Sequence, residues 1–261
     1  MSNVVDPAPS ILSKAFDLLR AFNTRERVMS FSELVRASGL PKSTVHRLLA
    51  RLVELDVIEH HRSGYKIGIQ LFKLGAITPA ASMRDVAMPF LAGLHRQFGL
   101  TVHLAVLRQF NIVYLERLSR RNAPSSLSGV GSILPANCTA IGKALLAYED
   151  LDDLEVFLPN PMPMMTPEST TDVGTLLAQL REIQGGVLAR ERNEAQRGLA
   201  CMASPIVVQG FAVGAVSVSY RADARLDPEV ETALRDTTAR ISREVRAGLA
   251  EGREAWLPYE A

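Results

Sequence analysis

The segment GLPKSTVHRLLARL, residues 39–52, constrains the fold more than any other part of the chain. Apolar residues recur in it at the spacing of one face of an α-helix. Pro41 suits the first turn of such a helix, because proline lacks the N–H group that would have no partner there. The pattern predicts a helix packed on a core through Val45, Leu48, Leu49, Leu52 and Leu55.

Two further helices are predicted before this segment and a hairpin after it. Ser10 can cap a first helix, and Ser30 or Ser32 can cap a short second helix that ends at Gly39. Residues 57–67 alternate loosely around Arg-Ser-Gly, as in a hairpin with a glycine turn. Three helices followed by a two-stranded wing are typical of a winged helix-turn-helix domain. The apolar face of the first helix is predicted to be Ile11, Ala15, Leu18, Leu19 and Phe22.

The side of the third helix opposite its apolar face is polar and basic. A helix of this kind fits the major groove of DNA, where arginine donates paired hydrogen bonds to guanine. Taken alone it is better explained as a solvated surface helix, but the preceding helix, the glycine turn and the hairpin favour DNA binding. At the hairpin turn, Arg62 could contact phosphate or the minor groove, or be a plain turn residue. The candidate DNA-binding residues are Lys42, Ser43, Thr44, His46, Arg47, Arg51 and Arg62.

Charge is unevenly distributed along the chain. Residues 1–75 contain eleven Lys and Arg against seven Asp and Glu, a net charge of +4. The remaining residues contain 18 Lys and Arg against 21 Asp and Glu, a net charge of −3, so the whole chain carries +1. A basic N-terminal part is what phosphate contacts need, although +4 is weak support by itself, because solvated surfaces often carry as much.

The rest of the chain is predicted to form a second, α+β domain. Neighbouring hairpins imply an antiparallel sheet flanked by helices, and the alternating strand–helix pattern of a parallel sheet does not occur. The predicted domains are 1–68 for the winged helix, 69–82 for a linker helix and 83–261 for the second domain. Strands are predicted at 101–107, 111–118, 201–208 and 211–220, helices at 83–98, 172–184 and 228–249, and a loop at 159–170.

Several functional classes are disfavoured by the sequence. It lacks a secretion signal and an apolar run long enough to span a membrane, so we expect a cytoplasmic protein. Cys138 and Cys201 show no zinc-ligand spacing and no disulfide framework. As nucleophiles they would need a histidine base, yet no motif links His95 or His103 to either cysteine. We therefore expect no enzyme activity, no metal and no cofactor.

Five motifs follow one another along the chain. They are SILSKAF at 10–16, GLPKSTVHRLL at 39–49, YKIG at 65–68, LPANCTAIGKALLA at 134–147 and EAQRGLAC at 194–201. Together, and in this order, they resemble the isocitrate lyase regulator (IclR) family of bacterial transcription factors. The resemblance covers essentially the whole chain.

The fourth motif contains a candidate anion-binding loop. Thr139 or a neighbour can cap a helix that starts at about Gly142, so that the N–H groups of Ala140, Ile141 and Gly142 converge. A phosphate-binding P-loop does not fit, because Asn137 stands where that motif needs glycine. From the residues alone, an ordinary capped helix is the better explanation of the pattern.

The resemblance implies a GAF/profilin-like fold in which this loop forms the floor of a pocket for a small organic acid. Backbone groups of Ala140 and Ile141 are then expected to hold the ligand's carboxylate. From the residues alone, Ser217 and Ser219 could lie on a solvated strand face, Glu191 on the surface and Leu134 in the core. The implied effector-binding residues are Leu134, Ala140, Ile141, Glu191, Cys201, Ser217 and Ser219.

These expectations combine into a ligand-responsive regulator that binds double-stranded operator DNA as a homodimer or a dimer of dimers. The resemblance implies control of a catabolic operon by a keto acid or an aromatic acid. Repression is favoured, and activation remains open. Two alternatives are an enzyme that uses Cys201 and a protein-interaction module whose basic helix never contacts DNA.

Overall fold

The computed structural model describes residues 10–22, 27–120 and 127–250, and the chain divides into two compact units, Met1–Thr78 and Pro79–Ala261. Each unit combines helices with antiparallel strands around its own hydrophobic core. The predicted α+β class is confirmed. No described helix is long and apolar enough to cross a membrane.

The first unit packs helices against a small sheet. Its elements are α1 (Ile11–Arg20), β1 (Val28–Met29), α2 (Phe31–Ser38), α3 (Lys42–Glu54), β2 (Ile58–His61), β3 (Gly64–Ile67) and α4 (Ile69–Ala76). Helix α1 begins, and helix α2 both begins and ends, at capping residues that the sequence predicts. Ser10 caps α1, Ser30 and Glu33 form a capping box on α2, and Gly39 ends α2 with a left-handed φ of 67°. Pro41 lies at the N-cap position of α3.

Two expectations for this unit are wrong in detail. The wing has three strands in the order β1-β3-β2, because the two-residue strand β1 pairs with β3. The predicted apolar faces are also shorter than expected. Leu55 is 65% exposed because α3 ends one residue before it, and Ile11 is 51% exposed whereas Leu18 is fully buried. The other four predicted positions on α3, Val45, Leu48, Leu49 and Leu52, are buried.

The second unit is built on a six-stranded antiparallel sheet. Its elements are α5 (Pro79–Phe98), β4 (Thr101–Arg108), β5 (Asn111–Leu118), β6 (Ile133–Pro135), α6 (Ala140–Leu146), α7 (Leu151–Phe157), α8 (Val173–Gln184), β7 (Ala189–Arg192), β8 (Leu199–Val208), β9 (Phe211–Arg221) and α9 (Pro228–Ala250). The strand order β6-β5-β4-β9-β8-β7 joins the two predicted hairpins through β4 and β9. One core lies between the sheet and α5 and α9, and the other between the sheet and α6, α7 and α8.

The long elements of this unit match the prediction, and the short ones do not. Helices were predicted at 172–184 and 228–249, and α8 and α9 occupy these residues to within one position. The short elements β6, β7 and α7 were missed, and α5 begins at Pro79, four residues before the predicted start at 83. Residues 159–170 form a loop, as expected.

Candidate functional site

The exposed side of α3 presents the polar residues that the sequence assigns to DNA contact. Lys42, Ser43, His46, Arg47 and Arg51 are exposed, and Thr44 is half-buried. On the opposite side, Val45 and the three leucines of α3 are at most 8% exposed. The helix is therefore anchored through its apolar face while its basic face is open to solvent.

The cations on this face differ in their partners. Arg51 Nη1 lies 2.6 Å from Glu54 Oε2, in an exposed pair of the kind that contributes little to stability. The His46 ring packs edge-on against Phe31, with 6.4 Å between ring centroids. No described residue forms an ion pair with Arg47, so its guanidinium can meet a partner from outside the chain without breaking an internal pair.

The wing places Arg62 at its tip. Arg62 is exposed in the turn that joins β2 to β3. Gly64 follows with a φ of 152°, and a Cβ there would overlap the backbone of Met29 in β1. The close approach of β1 therefore requires glycine at the start of β3 and fixes the base of the turn.

In the second unit, a narrow pocket lies where the start of α6 meets the sheet. Its unfilled space is about 20 Å³, which is room for about one water molecule. The structure brings all seven predicted effector-binding residues together in its lining: Leu134, Ala140, Ile141, Glu191, Cys201, Ser217 and Ser219.

His103, which the sequence analysis did not assign to the site, is the centre of a polar cluster in this lining. Its Nε2 lies 2.8 Å from Ser128 Oγ, and its Nδ1 lies 3.5 Å from the hydroxyl oxygens of Ser217 and Ser219. Burial, and secondarily the charge of Arg117, lowers the pKa of His103 to about 3. The imidazole is therefore neutral near pH 7, with one nitrogen that donates and one that accepts.

Glu191 and Cys201 are cross-strand partners on β7 and β8. Glu191 is 3% exposed, its Oε2 accepts the N–H of Glu194 at 3.0 Å, and burial raises its pKa. The Cys201 sulfur lies 3.1 Å from Ser219 Oγ, and burial, followed by the neighbouring Glu191, raises the pKa of the thiol well above its usual value. Such a thiol is a poor nucleophile. No group of metal-ligating side chains occurs among the described residues.

The start of α6 differs from the prediction in one hydrogen bond. Thr139 caps the helix, and its Oγ1 accepts the N–H of Gly142 at 3.0 Å. Of the three amides expected to converge on a ligand, the Gly142 amide is therefore used inside the protein. A Cβ at Gly142 would overlap the backbone of Ala136, so close packing requires glycine there. The amides of Ala140 and Ile141 belong to the first turn of α6, where an amide has no carbonyl acceptor within the helix.

A buried ion pair adjoins the pocket and was missed by the sequence analysis. Lys143, 1% exposed, places Nζ 2.6 Å and 2.8 Å from the two carboxylate oxygens of Glu194 and 3.2 Å from Thr170 Oγ1. The Lys143–Thr170 bond ties the loop at 159–170 to α6, and the N–H of Thr170 also donates to Glu194 at 3.1 Å. The paired residues are 51 positions apart, so the only local signal was a lysine inside the apolar run AIGKALLA.

Two family models match the chain. The model of the C-terminal domain of the bacterial transcriptional regulator IclR matches residues 76–243, and the IclR helix-turn-helix model matches residues 11–62. Together they cover the site residues of both units.

Individual relatives are similar over most of their length. The HTH-type transcriptional regulator XynR of Escherichia coli is 31% identical over 207 residues, which cover 77% of this chain and 81% of XynR. The glycerol operon regulatory protein of Streptomyces coelicolor is 27% identical, covering 91% of this chain and 96% of that protein. The crystal structure of an IclR homologue from Microbacterium hydrocarbonoxydans, complexed with 4-hydroxybenzoate, superposes with a TM-score of 0.80 at 28% identity and covers 91% of this chain and 100% of that one.

Proposed function

Because the chain belongs to the IclR family of bacterial transcriptional regulators, we propose that it represses a catabolic operon and leaves its operator when a small organic acid binds. Its relatives are transcriptional regulators and not enzymes. The raised pKa of Cys201 also argues against an enzyme that uses this thiol. In this proposal residues 1–68 bind DNA, residues 69–82 form the linker and residues 83–261 bind the effector.

The observation that supports DNA binding most directly is the exposed basic face of α3 behind which the leucines are buried. Arg47, which has no ion pair with any described residue, is proposed to bond base edges in the major groove. Arg62 is proposed to contact phosphate or the minor groove from the wing. The full proposed set is Lys42, Ser43, Thr44, His46, Arg47, Arg51 and Arg62.

Exposed apolar side chains support a homodimer or a dimer of dimers. Ile11, Leu12 and Phe16 on α1 are each more than half exposed, and so are Phe72 on α4 and Ile77 just after it. The three on α1 lie within six residues of one helix, and exposed apolar side chains that cluster in this way are typical of interaction surfaces. Two copies would each present one α3 to a half-site, with the half-sites about one helical turn of DNA apart.

The proposed effector is a small carboxylate, either a keto acid or an aromatic acid. Support comes from the pocket that the seven predicted residues line, and from the related protein that binds 4-hydroxybenzoate. The amides of Ala140 and Ile141 are proposed to hold the carboxylate. An organic acid needs more room than about 20 Å³, so the pocket must widen when it binds. The protein then has two states, one with the narrow pocket and one with the widened pocket. The acid can alter operator affinity only if it binds these two states unequally.

The substitution Arg47→Ala tests the DNA-binding face. An operator is first selected from random duplex DNA with the wild-type protein, and its affinity is measured by fluorescence anisotropy. Loss of one paired base contact should weaken binding by about 1–3 kcal/mol, or roughly 5- to 150-fold.

The control is Arg181→Ala, because Arg181 is exposed on α8 in the other unit. This variant should bind the operator as the wild type does. Wild-type affinity should also fall steeply as salt rises, since phosphate contacts release counterions. Unchanged affinity in Arg47→Ala would refute the assigned face. Operator binding that does not weaken with salt would refute the phosphate contacts, and failure of the wild type to select any duplex would favour the protein-interaction alternative.

A further inference from the structure

One carboxylate oxygen of Glu191 lacks a partner at hydrogen-bond geometry among the described residues, although the Cys201 thiol and the Ala195 N–H also face this carboxylate. Oε2 accepts the N–H of Glu194 at 3.0 Å, whereas the buried Oε1 has no hydrogen-bond partner among the described residues. Glu191 lines the pocket and is only 3% exposed. A buried polar atom without a partner is unfavourable, and in native structures such an atom calls for a specific explanation. A ligand in the pocket would supply the missing partner.

The charge balance of the pocket restricts what that partner can be. None of its lining residues is lysine or arginine, and His103 is neutral near pH 7. The nearby Lys143 is already bonded to both carboxylate oxygens of Glu194. An acid that enters the pocket therefore adds a second negative charge beside Glu191, and no cation in the pocket lining balances it. Arg117, whose charge acts on His103, is the cross-strand partner of His103 on β5 and lies outside this lining. Two carboxylates in one buried site cannot both remain ionised at little cost.

The other groups around Glu191 do not relieve this repulsion. Burial raises the pKa of Cys201 and Tyr114, so both stay protonated and neutral near pH 7. The buried residues of α8, which packs against β7, are leucine and isoleucine, and the charged residues of this helix, Arg181 and Glu182, are exposed. Arg190 and Arg192 are exposed on the opposite side of β7. The titratable or charged groups around Glu191 are thus Cys201 on β8, Glu194 with its partner Lys143 from α6, His103 on β4 with Arg117 beside it on β5, Tyr114 on β5 and Tyr220 on β9.

We propose that binding of a small carboxylate is coupled to the uptake of one proton by Glu191, which then donates a hydrogen bond from Oε1 to the ligand. The inference rests on the proposed function of the pocket as an acid-binding site. The proton comes from solvent and forms one O–H bond, while the ligand remains ionised. It resides on Oε1 because Oε2 already accepts the N–H of Glu194. Hydrogen bonds between a neutral acid and a carboxylate are short and strong.

The coupling gives the affinity a defined dependence on pH. Burial already raises the pKa of Glu191 in the free protein, and the ligand's charge must raise it further. Below the pKa of the free protein the proton is already present, so the affinity is constant. Above it the proton must be taken from solvent, and the dissociation constant rises towards tenfold for each pH unit.

Isothermal titration calorimetry on the full chain measures both quantities. Pyruvate and 4-hydroxybenzoate serve as probes between about pH 5.5 and 8.5, where their carboxylates are ionised. Buffers of different ionisation enthalpy give the number of protons taken up. In wild type this number should rise towards one as pH rises. In Glu191→Gln, whose amide is neutral and can still donate, binding should persist with no proton uptake and no pH dependence.

The control is Glu182→Gln, the same change at an exposed position on α8, which should behave as wild type. Wild-type binding without proton uptake across the range would overturn the coupling, as would loss of binding in Glu191→Gln at every pH. If Glu191→Gln does not fold, the proton count of wild type decides the question by itself. If no acid binds the wild type, the proposed function fails, and the coupling fails with it.

Discussion

Breaking the buried ion pair should destabilise the second unit more than any surface change. In Lys143→Met, the lysine Nζ that lies 2.6 Å and 2.8 Å from the Glu194 oxygens is lost. Glu194, only 7% exposed, would keep the donors of Thr170 but lose its counter-charge. A buried carboxylate without a cation is costly because the protein interior solvates it poorly.

The expected size follows from burial. Removing one partner of a buried pair costs about 3–5 kcal/mol in the free energy of unfolding. For a unit of this size, each kcal/mol lowers the melting temperature by about 2–4 °C, so the variant should melt about 6–20 °C below wild type. The matched control is Arg190→Met, which breaks an exposed pair with Glu231 in the same unit, and it should cost less than about 1 kcal/mol.

Thermal unfolding followed by circular dichroism measures these shifts. The double variant Lys143→Met/Glu194→Gln removes both charges, so it should recover at least half of the loss seen in Lys143→Met. The single variant Glu194→Gln is measured alongside. The explanation by an unpaired buried charge is refuted if the double variant loses as much stability as Lys143→Met and Glu194→Gln lose together. It is equally refuted if Lys143→Met melts within the range of Arg190→Met.

Two further predictions concern the pocket. Ser217→Ala should weaken acid binding measured by calorimetry, because Ser217 lines the pocket. It should leave operator affinity unchanged, because α3 belongs to the first unit and Ser217 to the second. An unaltered binding isotherm would count against the pocket assignment. His103→Asn should make the protein less sensitive to acid. The pKa of His103 falls from 6.5 to about 3 on folding, so the unfolded state takes up the proton at a higher pH than the folded state does. Between pH 7 and about 4.5, this group therefore lowers the free energy of unfolding of the wild type by about 2–3 kcal/mol. Denaturant unfolding at both pH values measures this, and equal losses in the two proteins would contradict it.

The sequence predicted the features that depend on neighbouring residues. The caps at Ser10 and Gly39 are local interactions, and the long helices α8 and α9 repeat their apolar pattern over several turns. Ser217 and Ser219 share one face of β9 because side chains alternate along a strand. The motif match then assigned these serines to a pocket, and the fold brings them together with the other five predicted residues.

The missed features depend on contacts between distant segments. The strand β1 is two residues long, too short for an alternating pattern, and exists through its pairing with β3. Lys143 and Glu194 gave no local sign of pairing across 51 positions. His103 was predicted on a strand, but only the pairing of β4 with β9 sets it opposite Ser217. Leu55 followed the helical spacing, yet the helix ends before it.

The most direct test of the account measures operator binding while the pocket fills. A fluorescent operator is held at constant concentration with the full chain, and the acid that calorimetry identifies is added until the pocket is saturated. The account predicts that anisotropy falls as the complex dissociates, at acid concentrations that follow the measured dissociation constant. Operator affinity that stays the same with the pocket saturated would contradict a regulator controlled through this site.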